Sequence, residues 1–321
     1  QDIGVLGTRF IAQEPFMAAS IARFTTILVA TLATSVALAA QRTYDKTVDA
    51  PPGGRLTVDA DVGSISVAGS DIHRVIVHAD LEGSGSFLHG ADITTEQSSS
   101  GVTVSAHMAH EGWLGWLGWL DFGSVRVHFA IQVPRSYPVD LRTSGGNLDV
   151  RDLNASVHAR TSGGGILLQN IAGTIGVHTS GGGIRAQRLD GPAQLSTSGG
   201  PIEVVDSTGD LELKTSGGGI RIRDDDGKID AATSGGGILA QLRSNRGIRL
   251  VTSGGGITIL LPPNTQGSVD AGSSGGGVTS DFPVTMREVT GGNHLQGSIG
   301  GGGPPIYLHT SGGSIHLERS P

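Results

Sequence analysis

The sequence predicts an all-β protein: a parallel β-solenoid of about nine or ten coils with an ~18-residue repeat and an irregular N-terminal section. Three observations lead there. A Thr-Ser-Gly-Gly corner recurs at a fixed interval. Apolar residues alternate in register with that corner. Glycine supplies 53 of 321 residues while aromatic residues make up only 4%, which suits a thin core of Ile, Val, Leu and Ala.

The first stretch is not part of that pattern. Residues 1–16 precede Met17 and resemble neither a leader nor a repeat, so they read as an upstream or non-native segment. Met17 opens a short basic region carrying Arg23, and an apolar run from Phe24 to Leu38 ends in Ala37-Leu38-Ala39-Ala40. That order predicts a signal peptide over 17–40, a mature chain starting at Ala40 or Gln41, and export to the periplasm or cell surface. The run is shorter than the ~20 residues of a membrane span.

Residues 41–142 are expected to form N-terminal coils and strands. They contain a degenerate corner, Val62-Gly63-Ser64-Ile65, and a Trp-rich insertion at 83–123 that breaks the repeat. From 143 to 321 the repeat is regular. Thr143, Thr161, Thr179, Thr197, Thr215 and Thr233 open corners at one constant interval. The motif returns at Thr252 and at Ser273 after slightly longer intervals, and finally at Thr310. Ile166 and Leu168 alternate after one corner, and Ile175 and Val177 before the next. Alternation of period two means strands with one buried face. The repeated Thr then faces inward, as an internal hydrogen-bonded ladder, and the Ser outward.

Glycine at each corner is expected to supply positive φ angles, and Gly173, Gly191, Gly209 and Gly227 mark the opposite turn. One coil cannot bury its own apolar side chains, so stability must come from stacking. At about 4.8 Å per coil this makes a rod roughly 45 Å long. The coils are expected to run to the C-terminus, where unpaired edges of a last coil offer a route to self-stacking.

Net charge of −7 excludes a dedicated nucleic-acid binder, which needs a basic stripe. The absence of cysteine removes disulfides, thiolate metal sites and Cys nucleophiles. Gly181-x-Gly183-x-x-Ala186 matches a dinucleotide fingerprint only in form, because a strand rather than a helix follows, and no nucleotide or other cofactor is expected. Gly272-Ser273-Ser274-Gly275-Gly276 matches a nucleophile elbow, with Asp281 and His294 downstream, yet it is a repeat corner. Glu212 and Asp230 are the one promising acidic pair, as a carbohydrate-active lyase or hydrolase on this scaffold would need. The Asp224-Asp225-Asp226-Gly227 run lacks calcium-loop spacing and reads as an exposed turn. His107-x-x-His110, with His73, His78, His89 and His128, is a loose histidine group for which no metal is expected.

The strongest contact candidate is Trp113-Leu114-Gly115-Trp116-Leu117-Gly118-Trp119-Leu120, which holds all three tryptophans. Trp113, Trp116, Trp119, Leu114, Leu117 and Leu120 form either an apolar flap over the first coils or an exposed patch for a lipid surface, glycan or protein.

The repeated Thr-Ser-Gly-Gly-x-Ile corners, the Val133-Pro134 element leading into Val139-Asp140-Leu141-Arg142-Thr143-Ser144-Gly145, and the closing Ile306-Tyr307-Leu308-His309-Thr310-Ser311-Gly312-Gly313-Ser314-Ile315 resemble the putative-adhesin family. That is a group of bacterial exported β-strand-repeat domains of unknown function. The resemblance implies a β-solenoid and an envelope or surface location, and it carries no catalytic residues. The expected function is a non-enzymatic envelope or cell-surface scaffold with adhesin-like binding to an envelope component. The alternatives are a carbohydrate-active enzyme and a membrane-associated envelope regulator.

Overall fold

Two strands and two turns per repeat give one flattened coil, and in the computed structural model successive coils stack edge to edge. The structure describes residues 40–83, 91–108, 126–288 and 292–321. These form two sheets, of 13 and 14 strands, with no helix among the described residues. In each repeat one strand, such as Val157–Thr161, enters the second sheet. The chain turns at the Thr-Ser-Gly-Gly corner, and the next strand, Ile166–Ala172, enters the first. Stacking is parallel and in register: Val157 pairs with Ile175, and Ile166 with Ile184. Inward side chains such as Ile166, Leu168, Ile171, Ile175 and Val177 are buried in a single core between the sheets.

The corner threonines are buried, as alternation requires, and their serine neighbours are exposed. Thr179 Oγ1 donates to the Gly164 carbonyl of the preceding coil at 2.7 Å and accepts the Gly182 N–H at 3.3 Å. The same pair of bonds recurs at Thr161, Thr197 and Thr215. Each hydroxyl therefore closes its own corner and ties it to the coil below.

The reason for glycine at these corners differs from the expected one. From Thr143 onward none of the corner glycines has a left-handed φ, although Gly63 in the degenerate copy does, at 121°. The demand is steric. A Cβ at Gly182 would sit 2.1 Å from the Gly164 carbonyl oxygen, and one at Gly200 2.2 Å from that of Gly182. The coils approach too closely there for any side chain.

Left-handed backbone appears instead at Asp152, Asn170, Arg188, Asp206 and Asp224, with φ of 55–61°. Each is a bulge in its strand: pairing passes from Gln169–Gln187 to Ile171–Leu189 and skips Asn170. The skipped residue lets Leu168 and Ile171 both face the core.

Two strands of the first sheet and three of the second are joined by antiparallel pairing at the ends. That leaves eleven parallel-paired strands in each sheet; ten coils run from a strand of the second sheet to one of the first through described residues, in line with the nine or ten that the repeat predicts. Antiparallel pairs cap the N-terminal end. Arg74–Gly83 and Ala40–Asp49 extend the first sheet beyond Arg126–Pro134, and Ala91–Ser98 extends the second beyond Gly101–Met108.

The other end departs from chain order. Strand Pro305–Thr310 lies between Ile248–Thr252 and Gly267–Ser273, and Ile315–Arg319 lies between Ile257–Leu261 and Val278–Ser280. The last coil in sequence is thus internal in space. The sheets end instead at Val278–Ser280 and at Val284–Glu288, the latter reached through the antiparallel strand His294–Ile299.

Candidate ligand-binding face

The most developed concave feature is an open trough of about 1230 Å³ along the outer face of the first sheet. Its floor is the residue just before each strand: Asn147, Gly165, Gly183, Pro201, Gly219, Gly237, Gly256 and Ser314. Small residues keep it open. The backbone there is already paired, since the Gly183 carbonyl accepts the Ile166 N–H at 3.0 Å and the Pro201 carbonyl that of Ile184 at 2.9 Å.

Beside this floor runs a column of outward side chains at the second position of each strand. Its central part reads Leu167, Arg185, Glu203, Arg221, Leu239, one residue per coil. The strip is symmetric in character, with leucines bracketing a charged centre. At about 4.8 Å per coil the two leucines stand roughly 19 Å apart. Leu239 is 36% exposed, the one large apolar side chain of that exposure among the described residues. Arg185 Nε donates to Glu203 Oε2 at 3.1 Å, and Arg223 Nη2 to Glu203 Oε1 at 2.6 Å. Partial burial pushes the Glu203 carboxyl up, but the bonds from Arg185 and Arg223 outweigh it and hold the group below the usual range. The trough thus has a fixed anionic centre flanked by guanidinium groups and then by the two leucines, and it continues to Asp149 on one side and to Thr258 and His316 on the other. It can hold an extended partner by mixed polar and apolar contact, and no Phe, Tyr or Trp among the described residues lines it for stacking. The repeat interval alone aligns Asp149, Leu167, Arg185, Glu203, Arg221 and Leu239 in one outward column; what sequence reasoning missed is the trough beside it, for which the third glycine of Thr-Ser-Gly-Gly-Gly was a visible signal.

The Trp segment, with Trp113, Leu114, Trp116, Leu117, Trp119 and Leu120, lies outside the described residues. The strands that flank it in sequence, Gly101–Met108 and Arg126–Pro134, belong to opposite sheets.

Glu212 and Asp230 are neighbours in register on the outer face of the second sheet. Lys214 and then the amide of Gln194 hydrogen-bond Glu212 and hold its carboxyl below the usual range. A general acid needs the opposite shift. Asp230 lies 3.6 Å from Arg249. The three consecutive aspartates diverge, against the expectation of an exposed turn throughout. Asp224 is the left-handed bulge residue, Asp225 is buried in the core, and Asp226 pairs with Arg246 at 3.2 Å. No group of three ligating side chains suited to a metal ion occurs among the described residues. His78 bonds Asp45 at 2.7 Å and His107 contacts Asp61 at 3.3 Å, while His89 and His110 lie outside the described residues. At the elbow-like corner Ser273 belongs to the internal ladder, and His294 sits 3.9 Å from Asp270.

No curated protein matches the chain. Solved structures with similar strand arrangements include a "putative cell adhesion protein" from Clostridium sporogenes, at 13% identity over 88% of this chain and 100% of that one, TM-score 0.25. A "putative adhesin" from Bacteroides fragilis aligns at 10% identity over 87% and 97%, TM-score 0.37. A "putative lipid binding protein" from Parabacteroides distasonis aligns at 11% identity over 87% and 97%, TM-score 0.44. The family model described as Toastrack DUF4097 matches residues 55–318. With stacked coils, a buried Thr ladder and this match over most of its length, the chain belongs to the Toastrack DUF4097 family.

Proposed function

We propose that this chain is a non-enzymatic, exported binding scaffold of the cell envelope or cell surface, and that the trough on the first sheet is its contact face. The observation that carries this reading is the unbroken Leu167–Arg185–Glu203–Arg221–Leu239 strip beside a floor of small residues. Repetition in register places like contacts at even spacing, which suits an elongated partner better than a small substrate. The leader-like stretch at 17–40 supports export, and the Trp segment adds a second apolar contact near the N-terminal end of the chain.

Cosedimentation with three probes tests the reading: peptidoglycan sacculi, purified envelope polysaccharide, and vesicles containing anionic phospholipid. The expected result is saturable binding to one of them, with no new reducing ends or unsaturated products from the glycans. Turnover that disappears in Glu212→Ala/Asp230→Ala would replace this reading with a carbohydrate-active enzyme.

A further inference from the structure

We infer that the C-terminal coil, residues 305–319, is an exchangeable element, so that a second copy of this chain can supply it and form a swapped pair. This stands apart from the trough reading and rests on the order of the coils. A coil that closes a solenoid in chain order contacts its neighbour on one side only. Here the last coil is held on both sides, against Ile248–Thr252 and Ile257–Leu261 on one and Gly267–Ser273 and Val278–Ser280 on the other. Thr310 bonds the Gly255 carbonyl below it, and Gly313 receives Ser273 from above. The coils on either side are thereby held one coil apart, and this segment fills the slot between them in register on both sides.

The connection into the slot is built as a hinge. Gly300, Gly301, Gly302 and Gly303 have φ of 58°, 89°, 95° and 157° and wrap the chain around Gln266 and Gly267. Pro304 and Pro305 follow. Opening these few residues frees the coil while strand His294–Ile299 stays paired with Gly267–Gly272. Because the contacts made in the slot are the same whichever copy supplies the coil, the hinge decides between closed and exchanged forms.

A cysteine pair reads this directly, since the chain has no cysteine of its own. Val251 and His309 are register partners on adjacent strands, within the span a disulfide bridges. Val251→Cys/His309→Cys is refolded in dilute and in concentrated solution, oxidised, and run on a non-reducing gel. The proposal expects crosslinks within one chain in dilute solution and covalent dimers in concentrated solution. Adding Gly301→Val/Gly302→Val penalises only the wrapped hinge, because no atom lies within 4 Å of a Cβ at 301 and the nearest to one at 302 is 3.7 Å away. It should raise the share of covalent dimer roughly tenfold. Should the hinge variant fail to fold, the cysteine pair on the native hinge still decides. Crosslinks confined to single chains at every concentration, or dimers whose disulfides are all within one chain, would overturn the proposal.

Discussion

The Ser273 hydroxyl donates to the Gly313 carbonyl at 2.6 Å, although Gly313 lies 40 residues further along the chain. Every earlier corner bonds backward in sequence, and this one bonds forward because the C-terminal coil has been laid beneath it. Deleting residues 305–321 should therefore uncover two coils at once. Hydrogen exchange should show lost protection in Ile248–Thr252, Ile257–Leu261 and Gly267–Ser273, with Val157–Thr161 to Leu211–Thr215 unchanged. Unchanged protection beside the gap would mean that the coils close ranks without the insert.

Close approach of coils makes the second corner glycine intolerant, whereas the first is open at Gly145 and tightens to 2.9 Å from a carbonyl oxygen at Gly235. Gly200→Ala places a methyl 2.2 Å from the Gly182 carbonyl oxygen and should cost about 3 kcal/mol in urea unfolding. Gly145→Ala meets nothing within 4 Å and should stay within about 0.5 kcal/mol of the parent.

Thr215 tests the ladder itself. Its Oγ1 donates to the Gly200 carbonyl at 2.8 Å and accepts the Gly218 N–H at 3.3 Å. Thr215→Val keeps the shape and leaves both backbone groups without that partner, at a cost of about 1–3 kcal/mol. Thr215→Ser should recover most of the loss in the same urea midpoint measurement.

Asp225 is predicted to make stability fall as pH rises. It is 1% exposed, stacked on buried Ser207 in a column that elsewhere holds Leu189 and Ile171. Burial pushes its carboxyl from 3.8 up to about 6, against the Gly227 N–H, Ser207 and Arg243, which favour the ionised form; Asp226 adds to the upward shift. Between those values the folded chain binds more protons than the unfolded one, so stability declines through that window and is level above it. The change is roughly 3 kcal/mol. Asp225→Asn should abolish this component and raise the thermal midpoint at pH 7.5. An unchanged pH profile in that variant would place the titration elsewhere. Glu203, Glu212 and Asp226, all held low by cationic or polar partners, act in the opposite direction below the usual carboxylate range.

Period-two alternation around a fixed corner made the coil, the inward Thr and the core positions of Ile166, Leu168, Ile171, Ile175 and Val177 legible from sequence. Those features are local to one repeat. What stayed hidden depends on neighbours. The corner glycines answer to a carbonyl one full repeat away in the chain, which no local φ argument reveals. The placement of Pro305–Arg319 is a choice among coils of equal chemistry, made by its pairing with Ile248–Thr252 on one side and Gly267–Ser273 on the other. Buried Asp225 looked like a turn residue because it sits between two aspartates that do face outward. The column from Leu167 to Leu239 follows from the repeat interval, but the trough beside it emerged only from the stacking of small residues such as Gly183 and Gly219.

The contact role of that strip is tested most directly by the affinity of Leu167→Asp/Leu239→Asp for the envelope fraction that the parent protein binds. Both side chains face outward, so the fold should persist with an unchanged urea midpoint. The account predicts binding weakened about tenfold or more, as expected when central apolar contacts are replaced by carboxylates. Equal affinity of parent and variant, with both folded, would contradict it and remove the trough as the contact face.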